Sequence, residues 1–221
     1  PVRGLRLAVL LICLALALAA EGMRHAGWLQ GLENAYGDLA FRLAGQTAPV
    51  RHVALIELDD ASLAAHPDDP LVFWTPHFAQ ATKVLRQVGA KVVGLDFLFS
   101  ISPEQWFAKV SGSGSQVARK FDQRFRQELA SGQVVLAGSQ ASTEALLPAA
   151  DYLAVLPEFD VVRHVGAADL LMDGDGTMRR LAMRPPGAAA VSGDGLRLLP
   201  LSLLLAIHAS GQAADAGAWQ F

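Results

Sequence analysis

"PHFAQATKVLRQVGAKVVGLDFLF", residues 76–99, joins a helical pattern directly to a strand pattern. Pro76 suits a first helical turn and Gly89 suits a helix end, so the first half predicts a helix. Its apolar face is formed by Phe78, Ala81, Thr82, Leu85 and Val88. The second half, "KVVGLDFLF" (Lys91 to Phe99), is a continuous apolar run that carries Asp96, which is typical of a strand covered on both faces. A helix followed at once by a buried strand indicates a layered α/β domain.

The same pattern occurs on both sides of this stretch. Upstream, "HVALIELDDAS" (His52 to Ser62) predicts a short apolar strand, and downstream "SQVARKFDQRFRQELASG" (residues 115–132) predicts a charged amphipathic helix. "QVVLAGS" (residues 133–139) predicts a third strand. Strand, helix and strand in succession favour parallel neighbours. We therefore predict an α/β fold with a central, mainly parallel sheet and flanking helices.

The remaining elements have weaker patterns. "VSGSGSQ" (residues 110–116) predicts a flexible loop, and residues 141–163 predict a loop with one short extended piece near Val155. "RHVGAADLL" (residues 163–171) and "TMRRLAMRP" (residues 177–185) predict two further strands separated by a turn. A last helix is expected from about Pro200, and it ends at Gly211.

The N-terminus carries a membrane signal. Arg3 and Arg6 precede an uncharged run from Leu7 to Ala20, which is short for a helix that must cross roughly 30 Å of hydrocarbon. We predict a transmembrane signal anchor over residues 1–22, with a cleaved secretory signal peptide as the alternative. In both cases the basic residues come first, so the remainder is expected outside the cytoplasm.

The composition of the chain favours some classes of function and excludes others. Hydrophobic residues make up 52% of the 221 residues, which favours contact with lipid or a partner, and the net charge of -3 argues against nucleic-acid binding. Cys13 is the single cysteine, so an internal disulfide and a cysteine-built zinc site are excluded. We expect an amphipathic stalk helix over residues 23–46, which either leaves the membrane as a stalk, packs on the domain, or does both. An extracytoplasmic domain is expected over residues 47–221. We also expect chain beyond both ends, with the domain incomplete at its C-terminus.

The acidic stretch "LLMDGDGTMRR" (residues 170–180) fits neither a calcium-binding loop nor a phosphate-binding loop. Counted from Asp173, a calcium loop would need Gly and Glu where Met178 and Arg184 stand, and a phosphate loop would need a Gly-Lys-Ser/Thr ending. Paired Asp and Gly between two apolar runs instead predict a turn. The residues assigned to this structural turn and its contacts are Asp173, Asp175, Gly176, Arg179 and Arg180.

Three carboxylates are candidates for a ligand site. Asp59, Asp60 and Asp96 follow predicted strands, and ligands of open parallel sheets lie at those carboxyl ends. They could bind Mg²⁺ or a polar ligand, or they could cap loops and the following helices. The histidines show no pair at the four-residue spacing of a helical zinc motif, and no catalytic signature is present. We therefore expect no enzyme activity, no metal and no cofactor.

The order of these motifs resembles a known family. "YGDLAFRL", "VALIELDDASL", "GAKVVGLDFLFS", "VVLAG" and "VGAADLLMDGDGTMRRLAM" are similar to the second type of CHASE domain over about residues 25–211. The resemblance implies an extracytoplasmic sensor in the bacterial inner membrane, which relays a signal to a cyclase or kinase outside this chain. The family has a Trp-Pro and Arg segment before its first body helix. Here "PLVFWTPHFAQ" offers Trp74 and His77 as ligand-binding residues but no Arg.

Three functions remain open on the sequence. The first is a membrane-anchored sensor, which forms a homo-oligomer or binds a protein partner in the envelope. The second is a structural subunit of an envelope assembly, in which an open strand pairs with another chain. The third is a periplasmic metal-dependent hydrolase that uses Asp59, Asp60 and Asp96.

Overall fold

The computed structural model describes residues 2–45, 51–112, 116–141, 145–181 and 197–211. The chain forms two compact units, Pro1–Leu58 and Asp59–Phe221. The helices of the described residues are α1 (Val2–His25), α2 (Gln30–Ala44), α3 (Asp60–Ala64), α4 (Thr75–Gln87), α5 (Pro103–Ser111), α6 (Gln116–Phe121), α7 (Gln123–Leu129), α8 (Ala150–Leu153), α9 (Val161–His164) and α10 (Leu201–Ser210). The strands are β1 (Val93–Leu95), β2 (Val134–Gly138) and β3 (Val165–Ala167).

The first unit contains α1 and α2. Within the described residues, one helical segment, Gly4–His25, is long and apolar enough to cross a membrane. Its most apolar part has a mean hydropathy of 2.1 and contains no buried residue. Leu and Ala dominate this segment, and both favour helix formation. Gly27 has a φ of +76° at the turn before α2. The division into anchor, stalk and sensor domain stays a prediction.

The predicted strand in residues 52–58 is not formed. Within the described chain this segment has neither a strand assignment nor a strand partner. Its apolar side chains are open to solvent, with Val53 73%, Leu55 81% and Ile56 65% exposed. An apolar run shows that a segment suits a strand, but the strand exists only if a neighbour accepts its hydrogen bonds. The prediction of a paired first strand was therefore wrong.

The second unit is built on a parallel sheet with the order β1-β2-β3. Val93 is paired with Val134, and Leu136 with Val165. The fold is therefore mixed α/β with a parallel sheet, as predicted. The strand predicted at residues 177–185 is not formed over 177–181, and residues 182–185 lie outside the described residues.

α10 lies directly against small residues of the sheet. A side chain at Gly166 would meet the backbone of Leu201 at 2.6 Å, and one at Gly94 would meet the side chain of Leu205 at 2.7 Å. A hydrogen bond also holds the segment before α10 against β3, since Ala167 N–H donates to Leu199 O at 2.7 Å. At Gly166 the obstacle is backbone, so only a residue without a Cβ allows α10 to pack this closely, whereas at Gly94 the end of the Leu205 side chain would have to move.

The predicted helices at residues 76–90 and after Pro200 are confirmed as α4 and α10. The helix predicted over residues 115–132 is divided into α6 and α7 at Asp122. The region predicted as loop contains the four-residue helices α8 and α9, which are too short to show a helical period. Residues 113–115 of the Gly/Ser-rich loop lie outside the described residues.

The core of the second unit is aromatic. Phe125 has no exposed surface, and its ring centroid lies 5.0 Å from that of Phe99 and 5.3 Å from that of Tyr152. Phe78 joins the cluster from α4, 5.2 Å from Phe99. β2 is buried along its whole length, which accounts for its continuous apolar sequence.

A charged network borders this core. Asp122 has no exposed surface, and its carboxylate accepts a hydrogen bond from Arg126 Nε at 3.1 Å. The same guanidinium contacts Asp151 and Glu104, each at 3.4 Å. Ser102 Oγ donates to Asp151 at 2.5 Å while it caps α5. The network therefore joins α5, α7 and α8 through one arginine.

His164 supplies a buried titratable group at the C-terminus of α9. It is 5% exposed, and its ring centroid lies 5.5 Å from that of His208. Burial, and then the neighbouring His208, lower the pKa of His164. The folded protein therefore binds this proton less well than the unfolded chain does.

We expect acid to destabilise the domain through His164. The contribution of its neutral form is fully present above the ordinary histidine pKa of about 6.5 and is lost as the pH falls below it. The free energy of unfolding should thus fall between pH 7 and pH 5, by at most about 1.4 kcal/mol per pH unit for one proton. Urea titrations at several pH values measure this slope. His164→Leu should flatten it, whereas a slope that persists in His164→Leu but is lost in the control His52→Leu would contradict the assignment.

Candidate functional site

A cluster of polar and aromatic side chains lies where the chain enters α4. α3 ends at Ala64, a short turn and a 3-10 helix (Leu71–Phe73) follow, and α4 begins at Thr75. This path brings His66, Asp69, Trp74 and His77 together. We refer to these four residues as the two-histidine corner.

Trp74 is the support of the corner. It is 4% exposed, and its indole Nε1–H donates to the backbone carbonyl of Asp69 at 2.8 Å. The indole meets the ring of His66 edge-on at 5.3 Å and that of His77 at 5.8 Å. Since a buried Trp is satisfied only when its N–H finds an acceptor, this bond fixes the turn that carries Asp69.

The polar atoms of the corner converge. His66 Nδ1 lies 3.7 Å from the Asp69 carboxylate, and the ring centroids of His66 and His77 are 4.7 Å apart. One ligand atom from each of the three residues lies within 4.8 Å of the other two. His66 is half-buried, whereas Asp69 and His77 are exposed. The corner thus presents two imidazoles and a carboxylate at the surface, a donor set that suits a transition-metal ion or a polar ligand.

The predicted ligand residues are distributed over two places. The structure brings Trp74 and His77 together, but within the described chain Asp59, Asp60 and Asp96 form no group close enough to share a metal ion. Asp59 caps α3 by accepting hydrogen bonds from Ser62 Oγ at 2.7 Å and Ser62 N–H at 2.9 Å. These bonds, the hydroxyl first, lower the pKa of Asp59.

Asp60 and Asp96 have separate positions. Asp60 lies in the first turn of α3, where a carboxylate is favoured by the helix dipole. Asp96 is exposed just after β1. The expected convergence required residues 52–58 to pair beside β1, and that strand is not formed. A ligand role for these carboxylates stays a prediction.

The acidic turn after β3 is closed by its own arginines. Asp173 N–H donates to Thr177 O at 3.0 Å, and Gly176 has a φ of +76°. Arg180 Nη2 donates to the Asp173 carboxylate at 2.5 Å, and Arg179 Nη1 donates to it at 2.9 Å. These two guanidinium groups, that of Arg180 first, lower the pKa of Asp173.

The second carboxylate of this turn is bound in the same way. Arg179 Nη2 donates to Asp175 at 2.8 Å, and Thr177 N–H donates to the same carboxylate at 3.0 Å. The bond from Arg179 is the main reason that the pKa of Asp175 is lowered. Asp173, Asp175 and both arginines thus bind one another within a single turn.

The sequence reasoning missed His66 and Asp69. The four-residue spacing of helical zinc motifs does not apply to them, because His66 and His77 are eleven residues apart, on opposite sides of a turn. The composition of "HPDDPLVFWTPH" (residues 66–77) could have indicated the cluster, since it combines two His, two Asp and a Trp with prolines that favour turns.

Comparison with known proteins adds one match. The model of a family described as the CHASE2 domain matches residues 9–218, nearly the whole chain. No curated protein and no solved structure matches the chain. The match includes the two-histidine corner, the sheet and the acidic turn.

Proposed function

This chain belongs to the CHASE2 domain family, a family of sensor domains in signalling proteins, and from that premise we propose that it is the extracytoplasmic sensor of a bacterial membrane-anchored signalling protein. The family match over residues 9–218 is the observation that carries the proposal. A cyclase or kinase outside this chain is the effector that receives the signal.

The anchor part of the proposal is supported by α1. Gly4–His25 has the length and hydropathy of a single membrane span, and Arg3 and Arg6 stand at its N-terminal side. Positively charged residues favour the cytoplasmic side of a bilayer. α1 then crosses the bacterial inner membrane, and residues 26–221 lie outside the cytoplasm.

The sensing part of the proposal is supported by the second unit. Its parallel sheet and aromatic core form a rigid frame, and the two-histidine corner sits at the surface of that frame. The corner presents charged and hydrogen-bonding atoms on a support fixed by the buried Trp74. Binding sites are commonly loops held by such a scaffold.

A second candidate function is that of an assembly subunit or homo-oligomer. The observation in its favour is the unpaired segment with Val53, Leu55 and Ile56 exposed. Contiguous exposed apolar side chains commonly mark a surface that contacts another protein. A protein partner or a second copy in the envelope would cover this segment.

Labelling of single cysteines tests the sensor proposal. In a Cys13→Ser background, Gln127→Cys places a thiol at an exposed position of α7, and Val2→Cys places one before the apolar run. We expect a membrane-impermeant maleimide to label Gln127→Cys in intact spheroplasts and Val2→Cys only after permeabilisation. The reverse pattern would overturn the proposed topology. If the protein isolated from cells lacks its N-terminal segment and is removed from the membrane by washing, the segment is a cleaved signal peptide, and the proposed anchor is wrong.

A further inference from the structure

We propose that His66, Asp69 and His77 bind one divalent transition-metal ion of the zinc class. We also propose that this ion is what the sensor detects, a statement that rests on the proposed function, whereas ion binding itself does not. The proposal concerns the corner at the start of α4. The ion would be bound by the exposed nitrogen and carboxylate atoms of that corner.

The geometry is that of an open site that needs a small contraction. The three ligand atoms lie within 4.8 Å of one another. In a tetrahedral zinc site, bond lengths near 2.1 Å place neighbouring ligand atoms about 3.4 Å apart. Asp69 and His77 are exposed, so side-chain rotation can supply the remaining movement without disturbing the core.

The His66 and Asp69 side chains face each other across a short gap. The gap of 3.7 Å between His66 Nδ1 and the Asp69 carboxylate is longer than a hydrogen bond. Two atoms with lone pairs, set slightly too far apart for each other, leave room for a cation between them. His77 approaches the same space from the first turn of α4, with its ring centroid 4.7 Å from that of His66.

The donor set selects the class of ion. Imidazole nitrogen binds zinc, copper, iron and nickel well, whereas calcium and magnesium prefer an all-oxygen shell. Two nitrogens and one carboxylate therefore favour a transition-metal ion. Three protein ligands also leave at least one coordination position for water or another ligand, which is typical of exchangeable sites.

The support of the site is made by protein groups that are not themselves ligands. Trp74 is buried and holds the Asp69 backbone through its indole N–H at 2.8 Å. The turn is closed by Asp69 N–H, which donates to His66 O at 3.3 Å. The apo protein is therefore expected to be folded, so removal of the ion should leave the secondary structure unchanged. Reversible binding of this kind suits detection.

Competition for Zn²⁺ against a chromophoric chelator tests the site. The full chain is purified in detergent with Cys13→Ser and without a histidine tag, and circular dichroism checks each variant for folding. We expect one ion per chain, and we expect His66→Ala and His77→Ala to weaken binding at least about 100-fold, because outer-shell changes alone cost 10–100-fold. Asp69→Asn should weaken binding less, because an amide oxygen remains a weak ligand.

Two matched variants serve as controls. Asp68→Asn removes a neighbouring carboxylate, and His52→Ala removes an exposed histidine outside the corner, so both should keep the affinity of the parent. Zn²⁺ affinity of the parent that equals that of a His66→Ala/His77→Ala double variant would overturn the proposal. Equal weakening by the two controls would also overturn it. Co²⁺ loading gives a second readout, since its visible absorption bands intensify when the octahedral water shell is replaced by a four-coordinate site.

The cysteine labelling and the zinc competition separate the two proposals. If the labelling pattern is as expected but Zn²⁺ does not bind, the protein is a sensor for another signal, and the metal site is overturned. The expected binding with a reversed labelling pattern would mean that the site is real but not extracytoplasmic. Each outcome overturns one proposal and leaves the other standing.

Discussion

Replacement of Arg126 by Met is expected to lower the free energy of unfolding by about 3–5 kcal/mol, because it leaves a buried carboxylate without its partner. Asp122 has no exposed surface and depends on the Arg126 guanidinium at 3.1 Å. Burial alone would lower the pKa of Arg126, but its bond to Asp122 and the charge of that residue more than offset this, and the pKa is raised. Urea denaturation of the full chain in detergent, followed by tryptophan fluorescence, measures the loss.

Arg119 provides the matched control for this prediction. It also binds Glu104, at 2.8 Å, but its side chain is 69% exposed. Arg119→Met should therefore lower the free energy of unfolding far less than Arg126→Met does, because exposed ion pairs contribute little. The double variant Asp122→Asn/Arg126→Met removes both charges and should recover part of the loss. Equal losses for Arg119→Met and Arg126→Met would show that burial of the pair is not what matters.

Replacement of Phe125 by Ala is expected to cost about 3–5 kcal/mol, through lost burial and the cavity that remains. Phe125 has no exposed surface and contacts rings from three other parts of the second unit. Those rings belong to Phe78, Phe99 and Tyr152. The same urea titration measures the change. The surrounding rings come from separate elements, so they cannot readily collapse into the space.

Phe159 is the control for the core substitution. It is 73% exposed, so Phe159→Ala should change stability by no more than about 0.5 kcal/mol. A loss below about 1 kcal/mol for Phe125→Ala would mean that the cluster repacks around the cavity. Such a result would contradict the rigid frame that the proposed sensor requires.

The sequence predicts the elements whose signals are local. α4 has a helical apolar pattern, of which Phe78 and Thr82 are buried, and β2 is an apolar run that is buried throughout. The prediction of a strand covered on both faces at residues 91–99 was wrong, because β1 spans only Val93–Leu95 and only Val93 is buried. These patterns arise because a buried strand meets the core on both faces while a surface helix meets it on one. They were sufficient to predict a parallel α/β sheet, and the motif order was sufficient to suggest the family.

The sequence does not predict what depends on tertiary partners. Residues 52–58 have a strand pattern, but pairing requires a neighbour that no local pattern reports. α8 and α9 are too short to show a helical period. The predicted helix is divided at Asp122, whose carboxylate pairs with Arg126, and no local pattern reports this pairing. The corner was only half predicted: Trp74 and His77 were found through the family resemblance. His66 and Asp69 join them only because the turn before α4 folds back.

The close fit of α10 to the sheet bears on how the protein is made. Lys91 Nζ donates to Ala209 O at 3.1 Å across 118 positions of sequence, and Gly166 lies against Leu201. β1 and β3 both precede α10 in the chain, so the sheet can be complete once residue 167 is made, and its glycine-lined face then stays uncovered until residues 201–210 follow. A chain that stops before residue 201 would therefore lack the helix that covers this face.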